Sequence, residues 1–72
     1  MRREVAIQGE MIRLGQLLKL AGVTDSGAEV KGLLAGGGVE VNGQPEARRG
    51  HQLHPGDVVV AGEDELRLVR AG

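Results

Sequence analysis

The stretch from Ser26 to Asp57 of this 72-residue chain restricts its fold more than any other, because its start and stop signals come in a fixed order. Ser26 and Glu29 are spaced as a capping box, in which the serine accepts from the third helical amide and the glutamate reaches back. Val30, Leu33 and Leu34 follow at helical spacing and predict one buried stripe. Gly36, Gly37 and Gly38 stop that helix and leave room for a sharp reversal. Val39-Glu40-Val41 alternates as a strand does, and Asn42-Gly43 supplies the two positive-φ residues of a type I′ hairpin turn. Pro45 disfavours a long central strand directly afterwards. A basic pair, Arg48-Arg49, precedes a second turn at Pro55-Gly56-Asp57, where proline presets φ and glycine accepts the positive φ of a type II turn.

The flanks complete the pattern. Val5 and Ile7 alternate with polar neighbours, which predicts a short strand near residues 3 to 8, ended by Gly9. From Met11 to Ala21, Leu14, Leu17, Leu18 and Ala21 recur at helical spacing, with Gln16 and Lys19 on the opposite side. Gly22 suits the C′ position of that helix, where a left-handed backbone costs glycine little. Thr24, Asp25 and Ser26 are three candidates for the next N-cap. Leu53 is expected to point into the core, Val58-Val59-Val60 to form a strand, and Glu65 to Arg70 to form the last one. The sum is an α+β fold: two helices packed on a small twisted antiparallel sheet, in one domain spanning residues 1–72.

Composition narrows the chemistry. A domain of this size buries only about 60% of the surface its unfolded chain exposes, so the core is small. There is no cysteine, which excludes disulfides and thiolate metal sites. There is no Phe, Tyr or Trp either, so a platform that stacks flipped bases on aromatic rings is not expected. No apolar run approaches the roughly 20 residues that span a bilayer. The basic start, Met1-Arg2-Arg3, runs into Gln8-Gly9-Glu10 where a signal peptide needs its apolar region. The expectation is a soluble, cytoplasmic protein with no membrane partner. The formal net charge of −1 argues against a strong non-specific nucleic-acid binder, but the charges are unevenly spread. Glu63, Asp64 and Glu65 crowd one end, whereas Arg13, Lys19, Lys31, Arg48 and Arg49 occupy the middle.

The ordered set Arg13-Leu14, Leu17-Leu18-Lys19-Leu20, Gly22, Ser26-Gly27-Ala28, Lys31, Gly38-Val39-Glu40-Val41-Asn42-Gly43, Arg48-Arg49 and Pro55-Gly56-Asp57-Val58 resembles the S4 domain, an RNA-binding module. The resemblance covers about residues 12 to 61 and is closest to the small stand-alone bacterial S4 proteins. It implies a compact unit of two helices and a hairpin whose second helix and adjoining loop contact structured RNA. By position, Arg13 matches the arginine of the family's opening Arg-Leu-Asp, Ser26 the serine opening the second helix, and Lys31 the basic residue one turn inside it. Arg48 and Arg49 fall in the basic segment after the hairpin. Two positions depart from the wider family: Gly15 replaces the opening acidic residue, and Gly27 stands where many members carry arginine, although stand-alone members often have Ser-Gly-Ala here.

The residues themselves suit phosphate. A helix amino end attracts anions through its unpartnered amides and dipole, and Ser26 marks such an end. Arginines offer bidentate phosphate contacts. The partner that the resemblance implies is structured RNA, ribosomal RNA or tRNA with the ribosome as its setting, held by Arg13, Lys19, Ser26, Lys31, Arg48 and Arg49 through shape and phosphate. Each has a plainer reading: Ser26 as a structural cap, Lys19 and Lys31 as solvated helix residues, Arg48-Arg49 as a soluble loop. His51 and His54 alone are too few ligands for a zinc site, no nucleophile–base pair stands out, and no cofactor or catalysis is expected. Two rivals remain. One is a ubiquitin-like β-grasp sulfur carrier, which fits the hairpin and the Leu53 to Asp57 turn but needs a terminal Gly-Gly where this chain has Ala71-Gly72. The other is an S4-fold protein-interaction module that does not bind RNA. Nothing in the sequence sets the oligomeric state.

Overall fold

The computed structural model describes residues 1–24 and 26–72; Asp25, one of the three cap candidates, lies outside the described residues. Strand β1 (Arg2–Ile7) is followed by a two-residue strand β2 (Ile12–Arg13), helix α1 (Leu14–Leu20) and helix α2 (Gly27–Ala35). Strands β3 (Val39–Val41), β4 (Gln44–Pro45), β5 (Gln52–Leu53), β6 (Val58–Ala61) and β7 (Asp64–Arg70) complete the chain. The main sheet has the order β1-β7-β6-β3-β4, and β2 pairs with β5 in a separate two-stranded ribbon. All neighbours are antiparallel except β1 and β7, which run parallel with Val5 opposite Leu68. The class is α+β as expected, with a mixed sheet, because the first strand adds to the last one at an edge.

Both helices end on the same glycine device. After α1, Gly22 takes φ +75, its amide donates to Lys19 O and the Val23 amide donates to Leu18 O at 3.0 Å. After α2, Gly37 takes φ +74, and the amides of Gly37 and Gly38 donate to the carbonyls of Leu34 and Leu33. These are paired Schellman bonds, which satisfy carbonyls that a helix end otherwise leaves open. The amino end of α2 is capped by Ser26, whose hydroxyl accepts from the Glu29 amide at 3.3 Å. Arg3 of β1 donates from Nη2 to Ala21 O at 2.7 Å, placing a cation at the negative end of α1.

The first helix starts later than its apolar periodicity suggests. Ile12 and Arg13 are extended and pair with Leu53 and Gln52. Helix begins at Leu14, and the Gln16 side chain accepts from the Arg13 amide at 3.1 Å. Leu14, Leu17 and Leu18 of α1, Val30 and Leu34 of α2, Leu53 of β5 and the inward residues of the main sheet form one apolar cluster. The sheet contributes Ile7, Val39, Val41, Val59, Ala61, Leu66 and Leu68. Leucine and valine do here what aromatic rings do in larger cores.

Two polar fastenings set the loops that matter for the site. Asn42, at φ 51 in the hairpin turn, donates from Nδ2 to Asp57 Oδ1 at 3.1 Å and accepts the Val58 amide at 2.9 Å. Asp57 Oδ2 accepts the His54 amide at 2.8 Å. The hairpin turn and the Pro55-Gly56 turn are thereby locked to each other. Glu46 fastens the next loop: its Oε2 accepts the amides of Ala47 and Arg48 at 3.1 and 3.0 Å and Arg48 Nε at 3.3 Å, while Oε1 lies 2.9 Å from His51 Nδ1. The Arg48 backbone amide, followed by the Arg48 side chain, holds the Glu46 carboxyl below its ordinary pKa.

Replacing Asn42 with alanine removes both side-chain bonds and leaves a β-carbon at positive φ. The expected loss is about 2 kcal/mol, from two net hydrogen bonds of about 1 kcal/mol each. Urea denaturation measures it, and an unchanged midpoint would overturn the clamp. Glu46→Gln tests the second fastening by pH. A carboxyl with a depressed folded-state pKa contributes stability that is present above its unfolded-state value and lost as pH falls through the folded one. The parent is therefore expected to be more stable than Glu46→Gln at pH 7, with the gap closing below about pH 4. A gap that stays constant from pH 7 to pH 3 contradicts this role.

Candidate nucleic-acid interface

The amino end of α1 is built into the loop that follows the hairpin. Leu14 N–H donates to His51 O and Gly15 N–H donates to Arg49 O, both at 2.9 Å. Arg13 Nη1 donates to Gly50 O at 3.2 Å. The first two helical amides of α1, which the helix's own carbonyls cannot satisfy, are thus satisfied by the loop. That leaves the amino end of α2 as the helix end facing the adjoining surface.

A notch of ≈ 350 Å³ opens between the two helices and this loop, with Arg13, Gln16, Lys19 and Arg49 as its polar wall and Gly15, Gly27 and Gly50 among its floor. Arg49 also borders a second depression with Lys31, Leu34, Ala35 and Ala47, so the two hollows meet at one arginine. Lys31 is one turn along α2 from Gly27, on the same side of the helix.

Of the six residues singled out from sequence, the structure places Arg13, Lys19 and Arg49 on one notch and Lys31 on its extension. Ser26 sits beside them as the cap of α2, its hydroxyl occupied by the Glu29 amide. Arg48 turns away. Its side chain meets Glu46 and, through Nη2, His51 Nδ1 at 3.3 Å, and it borders a different hollow with His51, Gln52 and His54. Two adjacent arginines in sequence thus have different surroundings. Five notch residues were not singled out as binding positions: Gly15, Gln16, Gly27, Val30 and Gly50. Gln16 carried a signal, since it lies one turn before Lys19 on the polar side of α1. The glycines carried only the absence of a side chain.

Charge is segregated more sharply than the total suggests. Arg2 pairs with Glu65, Arg48 with Glu46 and Arg70 with Glu10. Among the described residues, no carboxylate lies within salt-bridge distance of Arg13, Lys19, Lys31 or Arg49. Glu29, Glu63 and Asp64 gather around a separate hollow that α2 shares with the turn between β6 and β7. A cation with no carboxylate beside it has its charge available to an external anion.

The two consecutive helices ahead of the β3–β4 hairpin are not the strand-pair start of a β-grasp carrier. Comparison with known proteins agrees with the helical reading. The chain is 49% identical over 59 residues to the probable ribosome maturation protein RlbA of Bacillus subtilis (strain 168), an alignment covering 82% of this chain and 83% of that protein. The family model described as S4 domain matches residues 5–69, which extends the likeness beyond residues 12 to 61 to take in half of the edge strand β1 and most of the closing strand β7. With its capped helix pair, its hairpin and this match over nearly its whole length, the chain belongs to the S4 domain family.

Proposed function

We propose that this protein binds structured RNA, ribosomal RNA or tRNA, through the basic notch between α1 and α2, and that it contributes binding without catalysis in the maturation of the ribosome. The observation that carries this reading is the convergence of Arg13, Lys19 and Arg49, with no described carboxylate partner, around one notch beside the amino end of α2. A phosphate there meets guanidinium and ammonium donors together with the positive end of a helix. Lys31 extends the same surface along α2, as a polyanion with regularly spaced phosphates requires. The absence of aromatic side chains fits recognition of shape, phosphate and 2′-hydroxyl rather than of unstacked bases. Membership of the S4 family and the likeness to a protein named for ribosome maturation support the choice of RNA and of setting.

Arg49 is the central contact and Arg48 a peripheral one, because Arg48 is engaged by Glu46 and His51. Gel-shift titrations with purified ribosomal RNA and with tRNA, at several salt concentrations, test this. Arg49→Glu is expected to weaken binding by about 100-fold at low salt, a lost charge-assisted contact plus a repulsive one. Arg48→Glu is expected to cost clearly less. Removing Arg49 as a cation is also expected to reduce the slope of log affinity against log salt by about one. If the parent binds neither RNA, or if Arg49→Glu binds as the parent does, this reading of the site is wrong.

A further inference from the structure

Gly15 is buried in the first turn of α1 beneath the Arg49 side chain. A β-carbon built on Gly15 would lie 2.4 Å from Arg49 Cγ, closer than non-bonded carbon atoms come, and 3.0 Å from Cδ, a tight contact. The atoms struck are the stem of the arginine, near its root, so the side chain has to leave its place rather than bend at its tip. The backbone of the same two residues is fixed independently by the Gly15 N–H to Arg49 O bond. Followed outward, the arginine crosses α1 and brings its guanidinium to α2: a β-carbon on Gly27 would lie 3.9 Å from Arg49 Nη1.

From this geometry we infer that Gly15 is a positioning residue for RNA binding, a seat without a side chain that lets Arg49 lie across α1 and present its guanidinium at the first residue of α2. The inference rests on the RNA-binding reading of the notch. It also joins Gly15 of α1 to Gly27 of α2 through one side chain. The guanidinium is delivered from the loop to the surface left open by Gly27. Gly15 is the opening that allows the loop arginine to reach it. Gly15 does not have a positive φ, so its backbone does not require glycine. Alanine is the better helix former, and a helix interior gives no reason of its own for glycine here.

Gly15→Ala, Arg49→Ala and the double variant are measured for ribosomal RNA affinity, and in each the Gly27 amide resonance is recorded without RNA. Gly15→Ala is expected to lose about ten-fold in affinity, the scale of one charge-assisted contact, and the double variant to bind no worse than Arg49→Ala alone. Without RNA, Gly15→Ala and Arg49→Ala are expected to shift the Gly27 amide alike. Since Arg49→Ala removes the atoms that a β-carbon would strike, the double variant also shows whether residue 15 matters by any other route. Parental affinity in Gly15→Ala, or losses that multiply in the double variant, would overturn the seat while leaving RNA binding standing. If the parent binds no ribosomal RNA, the functional reading fails. The seat is then decided by the amide alone, and a Gly27 resonance unmoved by Gly15→Ala overturns it.

Discussion

The docking of the loop after the hairpin onto the amino end of α1 is the constraint on which the rest of the site depends. Leu14 and Gly15 give their amides to the carbonyls of His51 and Arg49, residues more than thirty positions away. A helix start has amides that its own backbone cannot satisfy, and burying them without partners would be costly. Here the partners are loop carbonyls, so one set of bonds closes the helix, positions the loop and fixes the root of Arg49. The β2–β5 ribbon continues the same attachment outward. Glu46 holds the other side of the loop by gathering the amides of Ala47 and Arg48 on one carboxylate.

This arrangement suits a chain with little core to spare. The apolar cluster contains no aromatic ring, and each leucine or valine contributes on the order of 2 kcal/mol when fully buried. In so small a fold, loops are held by polar bonds as much as by packing: Asn42 with Asp57 at one turn, Glu46 with its following amides at the next. The same polar residues that fasten the loops also decide which of the two loop arginines has a carboxylate partner among the described residues. Arg48 is absorbed into the fastening and Arg49 is not.

Much of the architecture was legible because it is written in local signals. Ser26 caps α2, Gly22 and Gly37 take the left-handed backbone at helix ends, Asn42-Gly43 turns the hairpin and Gly56 completes its turn at φ +98. Each depends on residues within a few positions of one another. What the sequence pattern misplaced depends on distant partners. Residues 11 to 13 continue the helical periodicity but are drawn out of it, because Ile12 and Arg13 meet Leu53 and Gln52 across forty residues. The parallel pairing of β1 with β7 joins the two ends of the chain, and no local pattern announces it.

The candidate site divides in the same way. The sequence by itself determined the residue types: cations in the middle of the chain, no aromatic group, a capped helix end, and glycines at 15 and 27. Charge counting could not decide whether those cations were paired. The tertiary structure decided that Arg13, Lys19 and Arg49 share a notch, that Arg48 faces Glu46, and that the acidic residues near Glu63 belong to another hollow. The physical reason is that helix caps and tight turns are set by backbone geometry over a few residues. Whether a charge is neutralised, or a glycine is a vacancy that another side chain fills, is set by groups that only folding brings within a few ångströms.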